Sequence, residues 1–137
     1  MTRAPVWLGA TAAVAIHEWL AAEQGEAAPP HDPARLTAVL AAPAGQFDSG
    51  VTSPFQLAAR YALGVARDRP FGEQSERVAL VLAGVFLELN GWRLAGSEPD
   101  AACVTRALAS RELDASAYAM WLEELSAPVE TEPSPQR

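Results

Sequence analysis

The sequence predicts an all-α protein, a bundle of about six helices around one central buried helix, and three observations predict it. Half of the 137 residues are apolar, with alanine abundant and β-branched residues thinly spread, which favours helix over sheet. Glycine, proline and capping residues cut the chain into six segments of helical length. Residues 75–90 are apolar almost all round, carrying Val78, Leu80, Val81, Leu82, Val85, Phe86, Leu87 and Leu89. A helix of that kind belongs inside, with the others packed about it.

The first helix is expected over residues 9–24, with Ile16, Trp19 and Leu20 at helical spacing and Gly25 as its stop. The mildly apolar stretch at its start, residues 6–16, is too short and too broken by Gly9 and Thr11 to span a membrane. A proline-containing connector, 26–31, leads to Asp32, which caps a second helix with Pro33 in its first turn and Leu36, Val39 and Leu40 as its apolar stripe. Pro43, Gly45 and Gly50 predict a loop over 42–52. Ser53, Pro54 and Gln56 then open a third helix in the manner of a capping box, and Pro70 stops it near Asp68.

In the central helix Gly84 is expected to mark a close helix crossing, and Asn90-Gly91 to end the helix in a left-handed turn. Two shorter helices follow, over 98–110 and 115–125, the last capped by Asp114. Residues 126–137 carry three prolines and several carboxylates with nothing to bury. The organisation expected is therefore one domain, 1–125, and a disordered tail, 126–137.

All ten basic residues are arginines and the formal charge is −7. Without lysine there is neither a Schiff base nor a phosphate-loop lysine, and without a basic run no direct contact with nucleic acid is expected. The single cysteine, Cys103, excludes an internal disulfide, and no Cys/His spacing resembles a zinc site, so a reduced, cytoplasmic setting is expected. Cys103 itself reads as core, as do Trp7, Trp19, Trp92 and Trp121, with Trp7 and Trp92 the more exposed of the four. His17 reads as a satisfied structural histidine and His31 as a surface residue.

Two stretches carry a family likeness: Tyr61-Ala-Leu-Gly-Val-Ala-Arg-Asp-Arg-Pro-Phe-Gly-Glu-Gln-Ser-Glu-Arg-Val-Ala-Leu, and Val85-Phe-Leu-Glu-Leu-Asn-Gly-Trp-Arg-Leu94. Together they resemble the death-on-curing (Doc) branch of the Fic family, whose active loop reads His-Pro-Phe-x-Asp-Gly-Asn-Lys-Arg-Thr-Ala, ahead of a buried helix ending Phe-Leu-x-x-Asn-Gly. Ala15-Ile-His-Glu, His31-Asp-Pro with Leu36, and Glu112-Leu-Asp to Trp121-Leu122 resemble the family's flanking helices, so the likeness spans residues 7–125. It implies a helical fold (a Fido domain) around the central helix and transfer of AMP or a phosphoryl group from a nucleoside triphosphate to a protein hydroxyl. In the Doc branch the implied target is elongation factor Tu and the implied regulator an antitoxin.

The family's loop histidine takes a proton from the hydroxyl, a carboxylate holds Mg²⁺, and the Gly-Asn-Lys turn cradles phosphate at a helix N-terminus. Here Arg69 stands at the histidine position, and a guanidinium cannot act as a general base. Pro70 and Phe71 match the pattern. Glu73 stands at the metal carboxylate, where it is either a residual Mg²⁺ ligand or a solvated loop carboxylate. Gln74, Ser75 and Glu76 replace the Gly-Asn-Lys turn, and Arg77 matches the family arginine, either as a phosphate ligand or as an ion-pair partner of Glu73 or Glu76. Phosphate binding, where any persists, is therefore expected of Ser75 and Arg77, and metal binding of Glu73.

The substitutions fall on the chemical positions and spare the packing ones. The function expected is that of a non-catalytic, toxin-like or regulatory protein of a toxin–antitoxin-type system, binding a protein partner such as an antitoxin or a translation factor. No cofactor is expected, and Mg²⁺ with ATP or GTP belongs only to the alternative, a divergent transferase.

Overall fold

Asp32, Ser53 and Asp114 each stand one residue ahead of a helix and accept a backbone N–H three residues on, from Arg35 (3.1 Å), Gln56 (3.3 Å) and Ala117 (2.8 Å). Each satisfies an amide that the first helical turn would leave without a partner. The computed structural model describes residues 4–96 and 98–129. In chain order they form α1 (Ala10–Glu23), α2 (Pro33–Asp48), α3 (Pro54–Asp68), a one-turn 3-10 helix (Gly72–Gln74), α4 (Ser75–Leu89), β1 (Trp92–Leu94), α5 (Glu98–Ala109), α6 (Ala115–Leu125) and β2 (Ser126–Pro128). The fold is all-α, with 69% of the described residues in helices and only one small two-stranded sheet.

The core is built where α3 meets α4. Leu57, Ala58, Tyr61, Ala62 and Val65 on one helix and Val78, Ala79, Leu82, Ala83 and Phe86 on the other are all but wholly buried. The Tyr61 and Phe86 rings lie 5.1 Å apart. The Tyr61 hydroxyl continues to the N-terminal segment, accepting from Leu8 N–H (3.0 Å) and donating to Leu8 C=O (3.3 Å). Asn90, closing α4, clasps the same segment: its Oδ1 accepts from Val6 N–H and its Nδ2 donates to Val6 C=O. Gly91, with φ +100°, supplies the left-handed turn that the sequence predicts after Asn90.

Six expectations are corrected. The stretch 42–52 is not all loop, because α2 runs on through Pro43 and Gly45 to Asp48. Proline inside a helix costs about 3 kcal/mol. Here Pro43 is buried, and the added turn delivers Phe47 to Trp7, ring centroids 5.7 Å apart. The close helix crossing belongs to Gly64, not Gly84. A Cβ on Gly64 would stand 2.8 Å from the Val39 Cβ, whereas one on Gly84 would meet only Leu94 Cδ2 at 3.8 Å.

Cys103 is exposed, because the face of α5 that reaches the core carries Thr105 and Leu108 instead. The tail begins later than expected: Ser126–Pro128 pairs antiparallel with β1 in the register Trp92↔Pro128, Arg93↔Ala127, Leu94↔Ser126. The rest of the expected tail, 130–137, lies outside the described residues.

Among the tryptophans the exposed one is Trp19, at 57%, while Trp7 packs on Phe47 and Phe86 and Trp92 on Phe55. The central helix is also less enclosed than its composition predicts. Its outward residues Leu80, Val81, Gly84 and Val85 are only partly covered.

Three substitutions test this packing. Phe86→Ala should cost about 3–5 kcal/mol in denaturant unfolding, as a fully buried ring at the centre of the α3–α4 contact. Gly64→Ala should destabilise by about 1–3 kcal/mol because the Val39 side chain of α2, with its Cβ 2.8 Å away, blocks the added methyl. Gly84→Ala should be neutral or stabilising by up to about 1 kcal/mol, since helix propensity gains and nothing is displaced.

Candidate functional site

The loop between α3 and α4 is held by packing and by its own hydrogen bonds. Arg69 ends α3 in the left-handed conformation (φ 55°), donating its N–H to Val65 C=O. That conformation disfavours a side chain and turns the chain back sharply. Pro70 C=O accepts from Asp32 N–H at 2.9 Å, fixing the loop to the start of α2. Phe71 is 2% exposed and lies between two imidazoles, His17 at 4.6 Å and His31 at 5.6 Å between ring centroids.

Ser75 is wholly buried, and its Oγ accepts from Phe71 N–H at 3.0 Å. The polar atom that the sequence places at the phosphate site thus accepts a bond from the loop backbone. Three other amides of the turn are used in the same way. Gly72 N–H donates to Arg69 C=O, Gln74 N–H to Phe71 C=O and Ser75 N–H to Gly72 C=O. A helix N-terminus attracts anions because its first N–H groups are free. Here the 3-10 turn running into α4 engages those immediately before it.

The charged positions separate. Glu76 reaches two guanidiniums, Arg69 at 3.8 Å and Arg106 of α5 at 3.9 Å, and is about one-third exposed. Arg77 is exposed and makes no ion pair among the described residues, so neither pairing expected of it, with Glu73 or Glu76, forms. Glu73 is exposed in the 3-10 turn, and no group of three or more metal-ligating side chains occurs among the described residues.

Beside the turn, a cavity of about 570 Å³ opens between α1, α4 and α5. Trp19 and Leu20, Leu80 and Val81 make its apolar walls, and Glu23, Glu76, Arg77 and Arg106 are its charged groups. Thr105, also on its lining, is buried and shares a 2.8 Å hydrogen bond with the Tyr118 hydroxyl, whose pKa burial pushes up to about 12.

The structure therefore brings Glu76 and Arg77 together at the cavity and leaves Glu73 exposed, outside its lining. It adds Arg106, Glu23 and Trp19, which sequence reasoning missed because they come from distant segments without a shared motif. His17 and His31, 14 residues apart in sequence, also meet at the loop, on either side of Phe71. His31 is half-buried rather than a plain surface residue. His17 is buried but not satisfied: its Nε2 has no hydrogen-bond partner. Comparison with family models and with curated proteins finds no match. Among the described residues no helix is long and apolar enough to cross a membrane.

Burial, reinforced by the nearby His31 and opposed by Glu18, lowers the pKa of His17 below its usual 6.5. The unfolded chain then binds more protons than the folded one between the lowered value and 6.5, so stability is full above that window and falls as the pH drops through it. Denaturant unfolding between pH 7.5 and about 5 should show this loss, with a slope of at most ~1.4 kcal/mol per pH unit from one group. His17→Leu should flatten the curve over that range. An equal slope in both proteins would assign the effect to other groups.

Proposed function

We propose that this chain is a non-catalytic protein of Doc type on a Fic-like helical scaffold, acting by binding another protein as a toxin-like or regulatory member of a toxin–antitoxin-type system. The observation that carries this reading is the pairing of Glu76, on the first turn of α4, with Arg69 and Arg106. In the family that turn receives phosphate. Here a side-chain carboxylate of the protein already faces the guanidiniums that a phosphate would use.

Electrostatics supports the same conclusion. The charged groups of the cavity, Glu23, Glu76, Arg77 and Arg106, sum to zero, and a polyphosphate entering it meets two carboxylates. A carboxylate about 5 Å from a phosphate charge opposes it by roughly 3 kcal/mol at an effective dielectric of about 20. Arg69 and Arg106 reduce that repulsion but are themselves engaged by Glu76. Arg69, at the family's histidine position, supplies no base. Neither Mg²⁺ nor ATP nor GTP is needed in this reading, and the partner is an antitoxin or a translation-factor target in the cytoplasm.

One feature favours a divergent transferase as the second reading. A cavity of about 570 Å³ is large enough for a nucleotide, and Arg77, on its lining, is free to meet one. In that reading Arg77 contacts phosphate and Glu73 contributes to Mg²⁺.

Transfer of radiolabel from ATP or GTP to protein separates the two. The unmodified chain should transfer none, and Arg69→His alone none, because general-base catalysis is worth typically ~10²–10⁴ in rate and the phosphate turn is altered independently. Gln74→Gly with Ser75→Asn and Glu76→Lys should also be inactive without the histidine. Transfer is expected only when both sets are combined. Labelling by the unmodified chain, abolished by Glu73→Ala, would establish the transferase reading.

A further inference from the structure

The outward face of α4 lies in a groove flanked by α1, α5 and β1 and is only partly covered by them. Arg77 and Glu88 are exposed at its two ends, and Leu80, Val81, Gly84 and Val85 are partly exposed between them. These six positions follow the i, i+3, i+4, i+7, i+8, i+11 rhythm of one helix face and span about 16 Å. Two depressions lie along it, the cavity beside Trp19 and a shallower one lined by Gly84, Val85, Glu88 and Leu94, and both include Leu80 and Val81. A contiguous apolar strip with a charge at each end is the pattern of a contact surface, not of scattered surface apolar residues.

What covers the face can be read from its symmetry. Reversing the helix about its midpoint between Leu82 and Ala83 exchanges Arg77 with Glu88, Leu80 with Val85, and Val81 with Gly84. The strip is thus complementary to itself when read backwards: opposite charges meet at the ends, apolar side chains in the middle, and a β-branched residue meets a glycine at the crossing. We propose that this face joins two copies of the chain, their α4 helices antiparallel about a two-fold axis passing beside Gly84. A two-fold contact of this kind uses the same patch on both copies.

Gly84 fits the role. Within one chain it relieves no crowding, since an added Cβ would touch only Leu94 Cδ2 at 3.8 Å. At a helix crossing, absence of a side chain lets a second axis approach to the 8–10 Å of packed helices. The end charges are also available. Arg77 has no ion pair among the described residues, and Glu88 holds only the exposed Arg93, at 2.9 Å. The face carries no net charge, so the −7 of the whole chain is not concentrated where the copies meet.

Sedimentation of the full chain over a range of concentrations tests the proposal. A monomer–dimer equilibrium is expected, and Gly84→Arg should abolish it with an unchanged helical spectrum and with a melting temperature that no longer rises with protein concentration. Arg77→Glu and Glu88→Arg should each weaken the dimer about tenfold or more, because like charges then face each other at both ends. An equimolar mixture of these two variants should recover a dimer, and specifically the mixed one, since each places its charges opposite their complements. A chain that remains monomeric at the highest concentration overturns the proposal. So does a dimer that survives Gly84→Arg, or a mixture that associates no better than its components.

Discussion

The packing of α3 against α4 is the constraint on which the rest depends. Both helices bury almost their whole facing sides, and Tyr61 and Phe86 meet in the middle of the contact. Once these helices are fixed, the positions of residues 69 and 75 are fixed, and the chain between them must reverse direction in a short space. Arg69 does so by adopting the left-handed conformation, Phe71 fills the gap beneath, and Ser75 takes up the amide that the reversal leaves over. Nothing in that sequence of requirements calls for a histidine, a glycine turn or a lysine. The loop's shape is imposed from both ends and does not depend on those residue types.

This separation accounts for which parts were legible in the sequence. Caps and stops are local signals, and Asp32, Ser53 and Asp114 marked their helices correctly because each acts on an amide three residues away. Positions decided by distant partners were not legible. Pro43 and Gly45 signal a loop locally, yet the burial of Pro43 and the contact of Phe47 with Trp7 carry α2 through them. Gly84 and Gly64 are both mid-helix glycines, and only the three-dimensional approach of Val39 distinguishes the one that packs closely. An apolar residue on α4 does not reveal whether a neighbour covers it, so the open face was invisible until the surrounding helices were placed.

The candidate site divides in the same way. Residues 69–77, singled out in the sequence by their resemblance to a family loop, lie at the turn between α3 and α4, and Glu76 and Arg77 of that stretch line the cavity. The electrostatic partners came from elsewhere: Arg106 from α5, Glu23 and Trp19 from α1. Their arrival changes the meaning of Glu76. Read in sequence it is a lone negative charge where a positive one is expected, but in the structure it is the centre of a pair of arginine contacts. The unpartnered Nε2 of His17 likewise emerges only when Phe71 brings both imidazoles to the loop.

The proposed function requires that the turn before α4, with four of its amides engaged internally and with Arg69 and Arg106 facing Glu76, does not take phosphate. Calorimetric titration of the unmodified protein with ATP·Mg²⁺ and GTP·Mg²⁺ at low ionic strength tests it most directly, because screening is then weakest and any attraction greatest. The account predicts no saturable heat up to millimolar nucleotide. A saturable isotherm with micromolar affinity, weakened by Arg77→Ala, would contradict it.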